Sequence, residues 1–155
     1  MLKIIEILTC GLVRFSRQLY SPPRKPGQCL QTSMIALTRM SQQANQPLPA
    51  GFQLDDYCIE HQLSLGGFSI VYVATDSQGK RVAIKEYLPN TLALRNEGGT
   101  TPIISDDHLP AFRYGMKCFF EEGRALAGLS HPNVIRVLNF FRANETVYMV
   151  MEYEQ

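Results

Sequence analysis

Residues 63–72 read Leu63-Ser64-Leu65-Gly66-Gly67-Phe68-Ser69-Ile70-Val71-Tyr72, and ten residues further on comes Val82-Ala83-Ile84-Lys85. Two glycines sit between runs rich in β-branched and aromatic residues, which suit a pleated, half-buried surface. The spacing predicts strands over Tyr57–Leu63 and Ser69–Thr75 joined by a tight glycine turn, Ser64 to Phe68. Asp76-Ser77-Gln78-Gly79 is a hairpin turn signal, and Lys80–Tyr87 reads as the next strand. A glycine loop of this kind opens a helix in dinucleotide-binding folds. Here Ser69-Ile70-Val71-Tyr72-Val73 continues as a strand, which sets that reading aside.

Working outward, Pro89 to about Leu109 is a loop region containing Gly98-Gly99. From Pro110 to Leu129 the period changes. Phe119, Glu122, Leu126 and Leu129 fall at spacings of three, four and three, one face of a helix that Phe112 and Met116 widen. Pro132 stops it, since proline cannot continue a helix. Val134–Phe141 and Thr146–Tyr153 read as two further strands around Ala143-Asn144-Glu145. Three strands, a helix and two strands predict an α+β fold, a five-stranded antiparallel sheet with one packed helix.

Residues 1–50 are a different kind of sequence. They carry six basic residues and one acid, against nine basic and thirteen acidic in the remainder, within a net charge of +1. Pro22, Pro23, Pro26, Gly27 and the Gln-rich run from Gln42 to Gln46 do not supply a packed core. Residues 1–50 are therefore expected to be a disordered or mis-annotated extension, with Met34 and Met40 as candidate start sites, and the folded domain to occupy 52–155. Cys10, Cys29, Cys58 and Cys118 show no CxxC spacing and the three histidines are scattered, so neither a disulfide framework nor a metal site is expected. Reduced thiols and the lack of an apolar run of about eighteen residues suit a cytoplasmic protein without a membrane segment. Nothing in the charge pattern points to nucleic acid.

Three constellations carry chemistry. Glycine turns let phosphates lie against backbone N–H groups where side chains are absent. On a strand Ala83 and Lys85 point the same way, leaving room for a flat ligand with an ammonium at its charged end. Glu122 lies on the apolar face of the helix, where an acid is costly unless paired, and Lys85 is the candidate partner; the neighbouring Glu121 is expected to reach solvent.

In this order, with His131-Pro132-Asn133-Val134 and Tyr148-Met149-Val150-Met151-Glu152-Tyr153 following, residues 52–155 resemble the small lobe of protein kinases. Gly66-Gly67-Phe68, Ile84-Lys85-Glu86-Tyr87-Leu88-Pro89 and the long insert before the helix resemble bacterial serine/threonine kinases of the eukaryotic type. The resemblance implies that Lys85 binds the α- and β-phosphates of ATP and pairs with Glu122. It implies that Leu63, Ser64, Gly66, Gly67, Phe68 and Ser69 cover the nucleotide, and that Val71 and Ala83 pack on the adenine. It implies further that Met151 gates the back of the pocket, and that the carbonyl of Glu152 and the N–H of Glu154 meet the adenine edge. Leu126 and Val137 match the hydrophobic column that aligns the two lobes.

Two departures follow. Ser64 and Ser69 stand where the kinase loop has glycines, at an expected cost of about 1 kcal/mol each if the loop needs positive φ. The catalytic-loop aspartate, the metal-binding asparagine and the D-F-G aspartate belong to the large lobe; Asp106-Asp107 matches none of them. The chain is accordingly expected to be a fragment ending at the hinge, with little ATP affinity and no phosphotransfer of its own. Mg²⁺ and a protein substrate would belong to the complete domain only. Alternatives are a non-catalytic, pseudokinase-like interaction module and a small nucleotide-binding regulator. Apolar groups such as Val137, Phe140 and Phe141, left open where a large lobe would dock, favour self-association.

Overall fold

The computed structural model describes residues 44–128, 131 and 134–153. The elements are β1 (Gln53–Leu54), β2 (Tyr57–Leu65), β3 (Ser69–Thr75), β4 (Arg81–Tyr87), α1 (Leu109–Ala127), β5 (Val137–Ala143) and β6 (Thr146–Glu152). They form one antiparallel sheet in the order β1-β2-β3-β4-β6-β5, with a single helix among the described residues. The α+β reading holds, with six strands rather than five. The extra strand, β1, is two residues long, too short to show a period. It is turned back onto β2 by Asp55, which takes a positive φ of 55°.

Turn chemistry sets the remaining connections. Asp76 Oδ1 accepts from the N–H groups of Gln78 (2.9 Å) and Lys80 (2.8 Å), and Gly79 supplies φ 79°. Asn144 and Glu145, both at positive φ, make the two-residue hairpin that pairs Ala143 with Thr146. Pro110 lies in the first turn of α1, where a missing N–H costs nothing.

Residues opposite each other in an antiparallel pair share a face. Val71, Lys85 and Met149 therefore lie in one row, and Val73, Ala83 and Met151 in the next, all on the face toward α1. The helix packs there through Phe112, Phe119 and Gly123. Tyr87 sits between Phe112 and Phe119, with ring centroids 5.2 and 5.7 Å away. Burial, with the charge of Cys118 second, pushes the Tyr87 phenol up to about 12. Two helix glycines make the close approach possible. A Cβ at Gly115 would run into the Tyr87 hydroxyl, and one at Gly123 into the Phe140 ring and, at 2.6 Å, the Met149 methyl.

The opposite face carries Ile70, Tyr72, Ile84, Glu86, Tyr148 and Val150. Glu86 and Arg95 are both fully buried. Arg95 grips the carboxylate with both terminal nitrogens, Nη1 to Oε1 at 2.5 Å and Nη2 to Oε2 at 2.8 Å. The hydroxyls of Tyr72 (2.7 Å) and Tyr148 (2.8 Å) donate to the same carboxylate. Burial, followed by the Glu86 charge, drives both phenols well above the ordinary tyrosine range. Burial works against the Arg95 cation, but its bonds to Glu86 outweigh that, and it stays charged. No buried side-chain nitrogen or oxygen among the described residues lacks a hydrogen-bond partner.

The insert before the helix is not a plain loop. Leu94 and Ile103 bridge antiparallel, and Ala93 and Arg95 are buried. The fold also begins earlier than residue 52. Asn45 and Leu48, at 3% and 2% exposure, are part of it. Asn45 Oδ1 accepts from the Arg95 N–H, and the Leu48 N–H donates to the Tyr72 hydroxyl, long-range contacts that composition does not reveal. The expectation of disorder over residues 1–43 lies outside the described residues, as do Cys10, Cys29, Met34, Met40, Leu129, Pro132, Asn133 and Glu154; Cys58 and Cys118 are free thiols.

Gly123→Ala is expected to destabilise the fold by about 1–3 kcal/mol through overpacking against Phe140 and Met149. Tyr72→Phe should cost about 1–3 kcal/mol, because the N–H of Leu48 and Nη2 of Arg95 lose their acceptor in a buried site. Urea unfolding of each variant against the parent chain measures both.

Candidate functional site

Lys85 comes from the middle of the sheet. Strand alternation sends its side chain to the helix face together with Ala83, and it is only 3% exposed. Its ammonium lies over the Phe119 ring, 5.6 Å from the centroid, a cation–π placement. Glu122 follows Phe119 by three residues on α1, hence on the same helix face, and is half-buried. Burial lowers the Lys85 pKa and raises that of Glu122, while the charge of each opposes the shift of the other. Each charge thus acts on the other, and desolvation is the stronger influence on both groups.

The other candidate positions fall around this pair. Val71 stands directly opposite Lys85, and Met151 opposite Ala83. Val71, Ala83 and Met151 are 5%, 4% and 4% exposed and form a buried apolar patch on the same face of the sheet as Lys85. Glu152 ends β6 opposite Val82; its N–H donates to the Arg136 carbonyl (2.9 Å) and its carboxylate lies 3.8 Å from the Arg136 guanidinium. Leu126 is half-buried on α1 and Val137 buried at the start of β5.

The loop between β2 and β3 is short and tied down. Gly66 N–H donates to the Ser69 carbonyl (2.9 Å). Beyond the β4 strand, Leu88 N–H reaches the Phe68 carbonyl and Asn90 N–H the Gly67 carbonyl, both at 2.9 Å. Leu63 and Leu65 are exposed at 40% and 43%, and Phe68 is half-buried. The strain expected of serine at 64 and 69 is not present. Both are strand residues, Ser64 opposite Val71 and Ser69 opposite Tyr87, and neither has positive φ. Gly66 and Gly67 do not use positive φ either. A Cβ at Gly67 would meet only the Asn90 side chain, at 3.9 Å. Their small size leaves the outer side of the turn open instead.

Sequence reasoning missed Phe119 and Met149 as parts of this site. Phe119 was legible as a core position by its spacing. Its place beneath the lysine depends on how α1 docks. An open groove of about 460 Å³ is lined by Arg113, Met116, Lys117, Phe120, Arg142 and Val147; none of these is among the positions around Lys85. Among the described residues no group of three His, Cys, Asp or Glu comes together as a metal set, and no helix is long and apolar enough to cross a membrane.

No family model matches the chain. Among solved structures, the apo form of PpkA-294 matches with a TM-score of 0.65 and 37% identity, covering 69% of this chain and 38% of that one. Among curated proteins, the serine/threonine-protein kinase srk1 of Schizosaccharomyces pombe is 27% identical over 123 residues, 77% of this chain and 19% of the relative. The PknI kinase domain of Mycobacterium tuberculosis matches at a TM-score of 0.47 and 19% identity, over 69% of this chain and 36% of that one, a likeness too low to bear on function. The chain thus spans well under half the length of the proteins it matches. With its antiparallel sheet, single packed helix and inward-facing strand lysine, the described chain has the α+β fold of a protein-kinase small lobe, and the curated relative it resembles is a serine/threonine-protein kinase.

Proposed function

We propose that this chain is the nucleotide-binding lobe of a serine/threonine protein kinase, which in the complete domain transfers a phosphoryl group from ATP to a protein. The observation that carries the reading is the buried Lys85, on one face with Val71, Ala83 and Met151 and electrostatically coupled to Glu122. A desolvated ammonium beside a row of small and apolar side chains suits a flat base ending in phosphates. Partial desolvation strengthens its attraction for phosphate oxygens. Glu122 would hold the ammonium in place, and the Gly66-Gly67-Phe68 turn would cover the phosphates with backbone rather than side chains. ATP bound here would supply the transferable phosphoryl group. The catalytic base and the ligands for Mg²⁺ would come from a large lobe, so binding by this chain alone should be weak and phosphotransfer absent. A protein substrate would likewise meet the complete domain. The open turn and the buried apolar patch favour this reading over a purely structural interaction module.

Titration of the chain with a fluorescent ATP analogue should show saturable binding that Lys85→Met weakens by about tenfold, the loss of one charge-assisted contact. Equal binding by the two proteins would overturn the assignment of Lys85. A second expectation concerns pH. Burial depresses the Lys85 pKa below its usual 10.5. Between the folded value and 10.5 the unfolded chain binds the extra proton, so stability rises with pH across that window. Lys85→Met should therefore equal or exceed the parent in stability at neutral pH, and that advantage should shrink as pH climbs toward 10.5. Urea melts of both proteins across the alkaline range measure it.

A further inference from the structure

The face of the sheet away from the helix holds a device that the nucleotide reading does not use. We propose that residues 44–48, acting through Asn45 and Arg95, are a strap that positions Lys85, so that the site is regulated from the outer face of the lobe. This rests on the reading of Lys85 as the phosphate-binding lysine.

The strap is fastened by polar groups that are themselves buried. Asn45 Oδ1 accepts from the Arg95 N–H (2.6 Å), while Nδ2 donates to the carbonyls of Leu88 (3.3 Å) and Ala93 (3.2 Å). One carboxamide therefore closes the turn that leaves β4. Gln46 N–H donates to the Arg95 carbonyl (3.1 Å), and Arg95 Nε returns a bond to the Gln46 carbonyl (2.8 Å). Leu48 N–H donates to the Tyr72 hydroxyl (3.1 Å). Three of these bonds are to Arg95 itself, the Tyr72 hydroxyl also accepts from Arg95 Nη2 (2.9 Å), and the Arg95 guanidinium clamps Glu86.

Glu86 is the residue after Lys85. Strand alternation puts the two side chains on opposite faces. A slip of one residue would send the carboxylate to the nucleotide side and the ammonium to the outer side. Leaving either partner of the buried Glu86–Arg95 pair unmatched is strongly unfavourable, so the clamp locks both the register and the roll of β4. Lys85 is aimed by a contact on the far side of the sheet, and the strap keeps that contact closed. Asn45 and Arg95 are positioning residues: neither lies on the face that would take nucleotide. Any partner that lifts residues 44–48 would release the Arg95 loop and loosen Lys85 without competing for the site.

The test uses the full chain without nucleotide, so it stands apart from the binding titration. Two signals are read by NMR: the ring-current shift that Phe119 imposes on the Lys85 ε-methylene protons, and amide exchange at Lys85 and Glu86. Asn45→Ala should reduce the ring-current shift. It should also speed exchange at Lys85 and Glu86 by about tenfold or more, the size expected for lost buried hydrogen bonds, with β2 amides unchanged. Asn45→Asp keeps the acceptor for the Arg95 N–H but sets an oxygen against the Leu88 and Ala93 carbonyls, so it should move both signals at least as far. Arg81→Ala, which breaks the surface pair with Glu60 (3.1 Å), should move neither signal. Uniform acceleration across the sheet, or a Lys85 signal that stays in place, would overturn the proposal. Should Asn45→Ala not fold, an unmoved Lys85 signal in Asn45→Asp does the same.

Discussion

The constraint on which the rest of the lobe depends is the buried pairing of Glu86 with Arg95. Two charges taken out of water cost several kcal/mol each after relaxation, and their attraction repays this only when every remaining lone pair and proton is matched. Here the match is complete on both sides: two tyrosine hydroxyls complete the carboxylate, and the Gln46 and Thr100 carbonyls with the Tyr72 oxygen complete the guanidinium. The pair ties together β3, β4 and β6, the insert and the segment before β1. An apolar substitute of similar volume would fill the space, but it would not specify which way β4 faces.

The helix side is governed by shape rather than charge. Gly115 and Gly123 let α1 approach until Tyr87 lies between two phenylalanine rings and the Phe140 ring fills the space a side chain at 123 would take. That approach sets how Phe119 meets Lys85. The two faces of the sheet therefore cooperate on one side chain. The outer network decides that Lys85 points inward, and the glycine-mediated docking decides what it finds there.

Much of this was legible beforehand. The strands from Tyr57 to Tyr87 could be read from β-branched runs and turn residues, and α1 from the spacing of Phe119, Glu122 and Leu126. Lys85 stood out because it shares a strand face with the small Ala83, and Glu122 because an acid on an apolar helix face is costly unless paired. Other features were not legible. β1 is shorter than any period. The supposed strain at Ser64 and Ser69 came from a motif comparison, and the backbone at those positions is ordinary strand. Arg95 and Asn45 looked like loop residues because Asn45 finds its partners at Leu88, Ala93 and Arg95, more than 40 residues on, and Arg95 meets Glu86 only when the chain folds back after β4.

By itself, then, the sequence determined the order and type of the main elements, the α+β class and the residues able to do chemistry, because these depend on local period and on the identity of single side chains. Only the tertiary structure decided that the domain begins before residue 50, that the insert is folded onto the sheet, and that Lys85 is held from behind. Those outcomes depend on satisfying buried polar groups between segments some 40 to 50 residues apart. Such long-range matches leave no periodic trace in the chain, and they become visible only when the donors and acceptors are brought together.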